Sequence, residues 1–115
     1  MHELSLAQAT VEQLERVLKA EGGGFSRIER LHMEIGGMSG VDREAFEFVF
    51  PAAAEGTVAE SAALIFTEVP LRLHCNACGA DSVPEYPSMF CEACGGADVD
   101  IAAGRDFKIL SMEVS

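Results

Sequence analysis

The chain has 115 residues, 49% of them hydrophobic, which suits one compact domain, or one small domain carrying an insert, and excludes a disordered chain. Nineteen Asp and Glu against eight Lys and Arg give a formal charge of −11, a balance that argues against a phosphate-binding, nucleic-acid surface. No apolar run approaches the roughly twenty residues of a membrane helix, and the start lacks the basic region and apolar run of a signal peptide.

Met1-His2-Glu3-Leu4 opens the chain, and a helix is predicted directly behind it. Ser5 and Gln8 form a capping box. Ala7, Val11, Leu14 and Leu18 recur at helical spacing as the buried stripe, and Gly22-Gly23-Gly24 ends the helix. From Arg27 to Ile35 the chain alternates, with Leu31, Met33 and Ile35 on one face of a strand and Arg30, His32 and Glu34 on the other. Ile35 to Val41 is a glycine-rich connection without the Gly-Lys-Ser/Thr ending of a phosphate loop. Asp42 caps a second helix with Phe46, Val49, Phe50 and Ala53 on its apolar face. Pro51 should kink that helix or end its regular part early, and Gly56-Thr57 closes it. Ala62 to Val69 reads as a strand, and Pro70 marks a boundary. Arg105 to Val114 alternates again and should rejoin the first sheet.

Between these strands lie all four cysteines: Cys75-Asn76-Ala77-Cys78, twelve residues, then Cys91-Glu92-Ala93-Cys94. Two Cys-x-x-Cys hooks so spaced can close a tetrahedral thiolate cage around one zinc ion. Each hook is followed by glycine, which takes the positive φ of a tight metal turn at least steric cost. A disulfide pair is the rival reading, and the clustered thiols fit a reducing, cytoplasmic location better. With four cysteine ligands the cage is closed and structural, contributing on the order of 10 kcal/mol to folding. His74, beside the first hook, reads as a strand residue or as a partner of the metal shell. His32 reads as an exposed strand histidine, and the methionines as gap filling.

The Met1 amine, the His2 backbone nitrogen and the His2 ring can chelate one ion in fused small rings, an array suited to Ni(II) or Cu(II). Glu3 adds a carboxylate and a further backbone nitrogen. The competing reading is a solvated terminus. Asp42 reads as a helix cap or as a metal or partner contact. No nucleophile–base pair and no paired acids stand out, so an enzyme is not expected.

Taken together, several stretches resemble the HypA/HybF family of nickel-inserting NiFe-hydrogenase maturation proteins. They are Met1-His2-Glu3-Leu4-Ser5-Leu6-Ala7, Ile35-Gly36 with Ser39-Gly40-Val41-Asp42 and Ala45-Phe46, Glu55-Gly56-Thr57, and the two cysteine hooks. The resemblance runs the full length. It implies an α+β fold, two helices packed on a three-stranded sheet, with an inserted zinc ribbon. Residues 1–70 with 105–115 would form the nickel-binding domain, and residues 71–104 the zinc ribbon. It further implies nickel at His2, helped by Met1 and Glu3, and zinc at Cys75, Cys78, Cys91 and Cys94. The implied partners are a nickel-supplying GTPase and the hydrogenase large subunit precursor. The sequence departs from the family at Pro51 and at Glu60-Ser61-Ala62, and it flanks the cysteines with His74 alone. An acidic zinc-ribbon interaction module without metal transport is the alternative, separated from a nickel carrier by metal analysis.

Overall fold

The computed structural model describes residues 2–85 and 88–115. Among the described residues, two α-helices and six strands make a mixed α+β fold, in the order α1 (His2–Ala20), β1 (Ile28–Gly36), α2 (Arg43–Ala54), β2 (Ala63–Val69), β3 (Arg72–Cys75), β4 (Asp81–Ser82), β5 (Val99–Ala103) and β6 (Phe107–Val114). They form two three-stranded sheets, of order β2-β1-β6 and β4-β3-β5. No described helix is long and apolar enough to cross a membrane. The chain divides into two compact units. One holds the residues through Met33, Val41–Phe66 and Ile109–Ser115, and the other holds Glu34–Gly40 and Thr67–Lys108.

In the first unit α1 buries Ala7, Thr10, Val11, Leu14 and Leu18, the expected stripe plus one polar residue. Thr10 meets the cost of burial by donating its hydroxyl to the Leu6 carbonyl at 2.7 Å. The helix starts four residues earlier than the capping box predicts, at His2 and not Leu6, so Ser5 lies inside it. Nothing local stops the helix from running back to His2: Leu4 is a strong helix former, and the Glu3 carboxylate sits in the first turn, where the helix dipole favours a negative charge. At the other end, Gly23 N–H donates to Leu18 and Gly22 N–H to Lys19. With Gly22 at φ 99°, this is a Schellman close.

Asp42 caps α2 by accepting from the Ala45 amide at 3.2 Å. Helix α2 packs against α1 and buries Phe46, Phe50 and Ala54. The Phe46 ring also meets Phe66 of β2 edge-on, with centroids 6.1 Å apart. Pro51 neither ends the helix nor cuts its apolar stripe, because α2 continues to Ala54. A helix-interior proline costs about 3 kcal/mol, and two buried phenylalanines at about 1.5–3 kcal/mol each are enough to offset it. In β6 the alternation does not hold throughout. The better-covered residues are Phe107 and Ile109, then Met112 and Val114, so the inward face changes parity midway.

In the second unit Gly36, Gly37 and Met38 donate to the carbonyls of Asp106, Val69 and Gly104 at 2.8, 2.9 and 2.7 Å. The connection is therefore a backbone clasp holding three segments together. A Cβ on Gly36 would strike the Gly104 backbone. One on Gly104, itself at φ 96°, would lie 2.5 Å from the Pro70 carbonyl oxygen and 2.6 Å from the Leu71 Cα. Leu71, Leu73, Cys75 and Cys91 form the small buried cluster of the ribbon.

Candidate metal centre

The two cysteine hooks fold alike. In the first, the Cys75 amide donates to Ala80 at 2.9 Å and the Gly79 amide returns to the Cys75 carbonyl at 2.9 Å; in the second, Cys91 donates to Gly96 at 2.8 Å and Gly95 returns to Cys91 at 2.8 Å. Gly79 and Gly95 have φ of 77° and 74°, the positive values that these turns require. The last amide of each hook points at the leading sulfur, Cys78 N–H to Cys75 Sγ at 3.4 Å and Cys94 N–H to Cys91 Sγ at 3.5 Å. Strand β3 carries Cys75 into the site and pairs antiparallel with β5, placing Cys75 opposite Val99.

All four Sγ atoms lie within 4.8 Å of one another. Across the hooks, Cys75 Sγ stands 3.7 Å from Cys94 Sγ and Cys78 Sγ 3.6 Å from Cys91 Sγ. A tetrahedral ion with metal–sulfur bonds of about 2.3 Å needs sulfurs roughly 3.8 Å apart. The cysteines are free thiols, held at metal-ligand spacing and well beyond the sulfur–sulfur distance of a disulfide. The donor set fits zinc, which four thiolates bind in a closed structural site.

The electrostatics of the metal-free hooks are asymmetric. The amide of Cys78 pulls the Cys75 thiol down. The amide of Cys94 pulls Cys91 down to about 7. At Cys78 the Ala80 amide acts downward, but the thiols of Cys91 and Cys75 outweigh it and push the group up to about 12. At Cys94 the Gly96 amide is likewise outweighed by Cys75 and Cys91, and the thiol is raised. The leading cysteine of each hook is buried and the trailing one exposed. His74 turns away from this chemistry: its Nδ1 lies 2.8 Å from Asp81 Oδ1, its cross-strand neighbour on β4.

The amino-terminal candidates belong to the first unit. Met1 lies outside the described residues. His2 begins α1 with an exposed ring, and its Nδ1 is 3.6 Å from Glu3 Oε2. The same carboxylate oxygen accepts from the Asp42 amide at 3.2 Å. That bond, with smaller contributions from the Glu3 amide and His2, holds the Glu3 carboxyl below its ordinary value. Asp42 thus both caps α2 and ties Glu3 to it, a link between residues 39 positions apart that no local pattern signals. His32 Nε2 and Arg30 Nε both reach Glu113 Oε2, at 2.8 and 3.1 Å.

Comparison with known proteins gives a consistent result. Residues 1–114 match the family model described as hydrogenase/urease nickel incorporation, metallochaperone, HypA. The hydrogenase maturation factor HypA of Chlorobaculum tepidum is 38% identical over 99% of this chain and 99% of its own. That of Streptomyces avermitilis is 36% identical over 97% of this chain and 86% of its own. The solution structure of the nickel metallochaperone HypA from Helicobacter pylori superposes with a TM-score of 0.71 at 26% identity, covering 97% of this chain and 96% of that one. A second HypA solution structure gives 0.73 at 27%, covering 100% and 97%. The full-length match, the α+β fold and the four-cysteine cluster agree: the chain belongs to the HypA family of metallochaperones for nickel incorporation, and is a metal carrier rather than an enzyme.

Proposed function

We propose that this chain binds Ni(II) at its amino terminus and delivers it to the large subunit of a NiFe-hydrogenase during maturation. Met1, His2 and Glu3 would hold the nickel, and Cys75, Cys78, Cys91 and Cys94 a structural zinc. The observation that carries this reading is the family match over residues 1–114 in a chain that begins Met-His-Glu. Two local features support it. The first N–H groups of an α-helix have no intrahelical partner, so metal chelation at His2 and Glu3 takes no hydrogen bond from α1. The His2 ring is exposed, as a site that must pass its ion onward requires.

In this reading residues 1–70 with 105–115 handle nickel, and residues 71–104 are the zinc ribbon, which lies wholly within the second compact unit. The proposed partners are a nickel-supplying maturation GTPase and the hydrogenase large subunit precursor, in the cytoplasm. Titration of the untagged protein with Ni(II) tests the reading. Wild type should take up about one nickel beyond its zinc, and His2→Ala or an acetylated terminus should lose that uptake. Nickel binding and delivery that survive both changes would overturn the assignment. An acidic zinc-ribbon module, the competing reading, predicts zinc and no specific nickel.

A further inference from the structure

We propose that Cys94 is a modification site for a peroxide, and that oxidation there ties the two cysteine hooks to each other, Cys75 to Cys94 and then Cys78 to Cys91, with release of the bound metal. The identity of that metal rests on the zinc reading above; the pairing of the sulfurs does not. The two hooks fold alike, yet they differ by one methyl group. Gly79-Ala80 follows the trailing cysteine of the first, and Gly95-Gly96 that of the second. The Ala80 amide bonds the Cys78 sulfur, and the Gly96 amide reaches Cys94 Sγ at 3.4 Å. A Cβ built on Gly96 would stand 3.3 Å from Cys94 Sγ. By the likeness of the hooks, Ala80 sets its methyl group beside Cys78 where Gly96 leaves a gap beside Cys94. Both trailing cysteines are exposed and both leading ones buried. Cys94 is therefore the barer of the two outer sulfurs and the first to meet a small oxidant.

The chemistry closes from there. The Cys94 sulfur attacks one peroxide oxygen and the O–O bond breaks. The sulfur becomes a sulfenic acid, and the other oxygen leaves as water. Cys75 Sγ, 3.7 Å away across the hooks, then bonds to Cys94 and expels the second oxygen as water, closing to about 2 Å. A second peroxide takes Cys78 and Cys91, 3.6 Å apart, through the same steps. Each disulfide passes two electrons from its sulfurs to one peroxide. Four metal-bound thiolates, two peroxides and four protons thus become two disulfides, four waters and a free divalent ion. The two links span 19 and 13 positions, the longer enclosing the shorter, so they tie together the same segments that a bound metal ties. Links within a hook would leave the hooks separate. A small uncharged peroxide suits a gap of one methyl group, whereas the −11 charge of the chain disfavours an anionic disulfide such as oxidised glutathione.

The test treats the full-length, metal-loaded chain with one or two equivalents of hydrogen peroxide, blocks the remaining thiols and digests it after glutamate. Cleavage at Glu68, Glu85 and Glu92 leaves Cys75 and Cys78 on one fragment, Cys91 on a second and Cys94 on a third. One equivalent should join the first fragment to the third, with tandem mass spectrometry placing the link at Cys75. Two equivalents should join all three and release the metal, and a thiol reductant should reverse both links. Gly96→Ala should slow the first link severalfold. Ala80→Gly, which only removes a carbon, should let the Cys78–Cys91 link form as readily as Cys75–Cys94. Oxidised glutathione should react more slowly than peroxide at equal dose. A link within either hook, a first link at Cys78 in wild type, or a wild-type order of linking in Ala80→Gly would overturn the proposal. So would a wild-type rate in folded Gly96→Ala, or glutathione disulfide reacting as fast as peroxide. The released ion is identified by elemental analysis, so the expected pairing with an ion other than zinc would strike the zinc reading alone.

Discussion

At the scale of single residues, the acidic surface is organised more than its composition suggests. The hydrogen bond from His32, with the charge of Arg30, holds the Glu113 carboxyl below its ordinary 4.5. A depressed carboxylate stabilises the fold above the unfolded value and loses that contribution as pH falls through the depressed folded value. Wild type should therefore lose stability more steeply than Glu113→Gln on acidification below about pH 4.5, with the two curves running parallel above it; thermal melts across that window check this. At the metal centre, Cys91 combines burial with the most strongly favoured thiolate. Cys91→Ser should abolish stoichiometric zinc and loosen the ribbon, while α1 and α2 keep their helical signal. Metal analysis with circular dichroism reads both. Full zinc with an unchanged melt would contradict the tetrathiolate site.

At the scale of elements, what the sequence showed and what it hid divide by the range of the interaction. Helix existence, the Asp42 cap, the glycines after the hooks and the Cys-x-x-Cys spacing within each hook all arise from neighbours within a few positions. They could be read directly. The persistence of α2 through Pro51 depends on tertiary burial, and the bond from the Asp42 amide to Glu3 spans 39 positions; periodicity registers neither. The stretch at Gly36-Gly37 read as a mere connection, although in the fold its backbone fills the space between two other segments. Gly104→Ala consequently combines a left-handed φ with a clash against Pro70 and Leu71, and should destabilise the protein by about 2 kcal/mol or more. Gly79→Ala meets only the φ penalty, since nothing lies within 4 Å of its added carbon, and should cost about half as much. Chemical denaturation of the two variants separates steric from conformational cost.

At the scale of the whole molecule, a modest core would share the work of folding with the zinc proposed at the four cysteines. A strong chelator should unfold the ribbon at temperatures where the protein otherwise stays folded, and re-adding zinc should restore it. Loading the metal-free protein near neutral pH should release protons, from Cys78, near 12, and from the raised Cys94. Unbuffered stopped-flow with a pH dye would count them, and metal uptake without acidification would contradict the metal-free thiol states. Burial of Cys75 and Cys91 against exposure of Cys78 and Cys94 adds a kinetic consequence. An ion in this cage has a front and a back. Competing ligands can attack only past the two outer sulfurs, so exchange should proceed through partly detached intermediates that keep the inner pair bonded. The rate should then track the size of the attacking ligand more closely than its affinity.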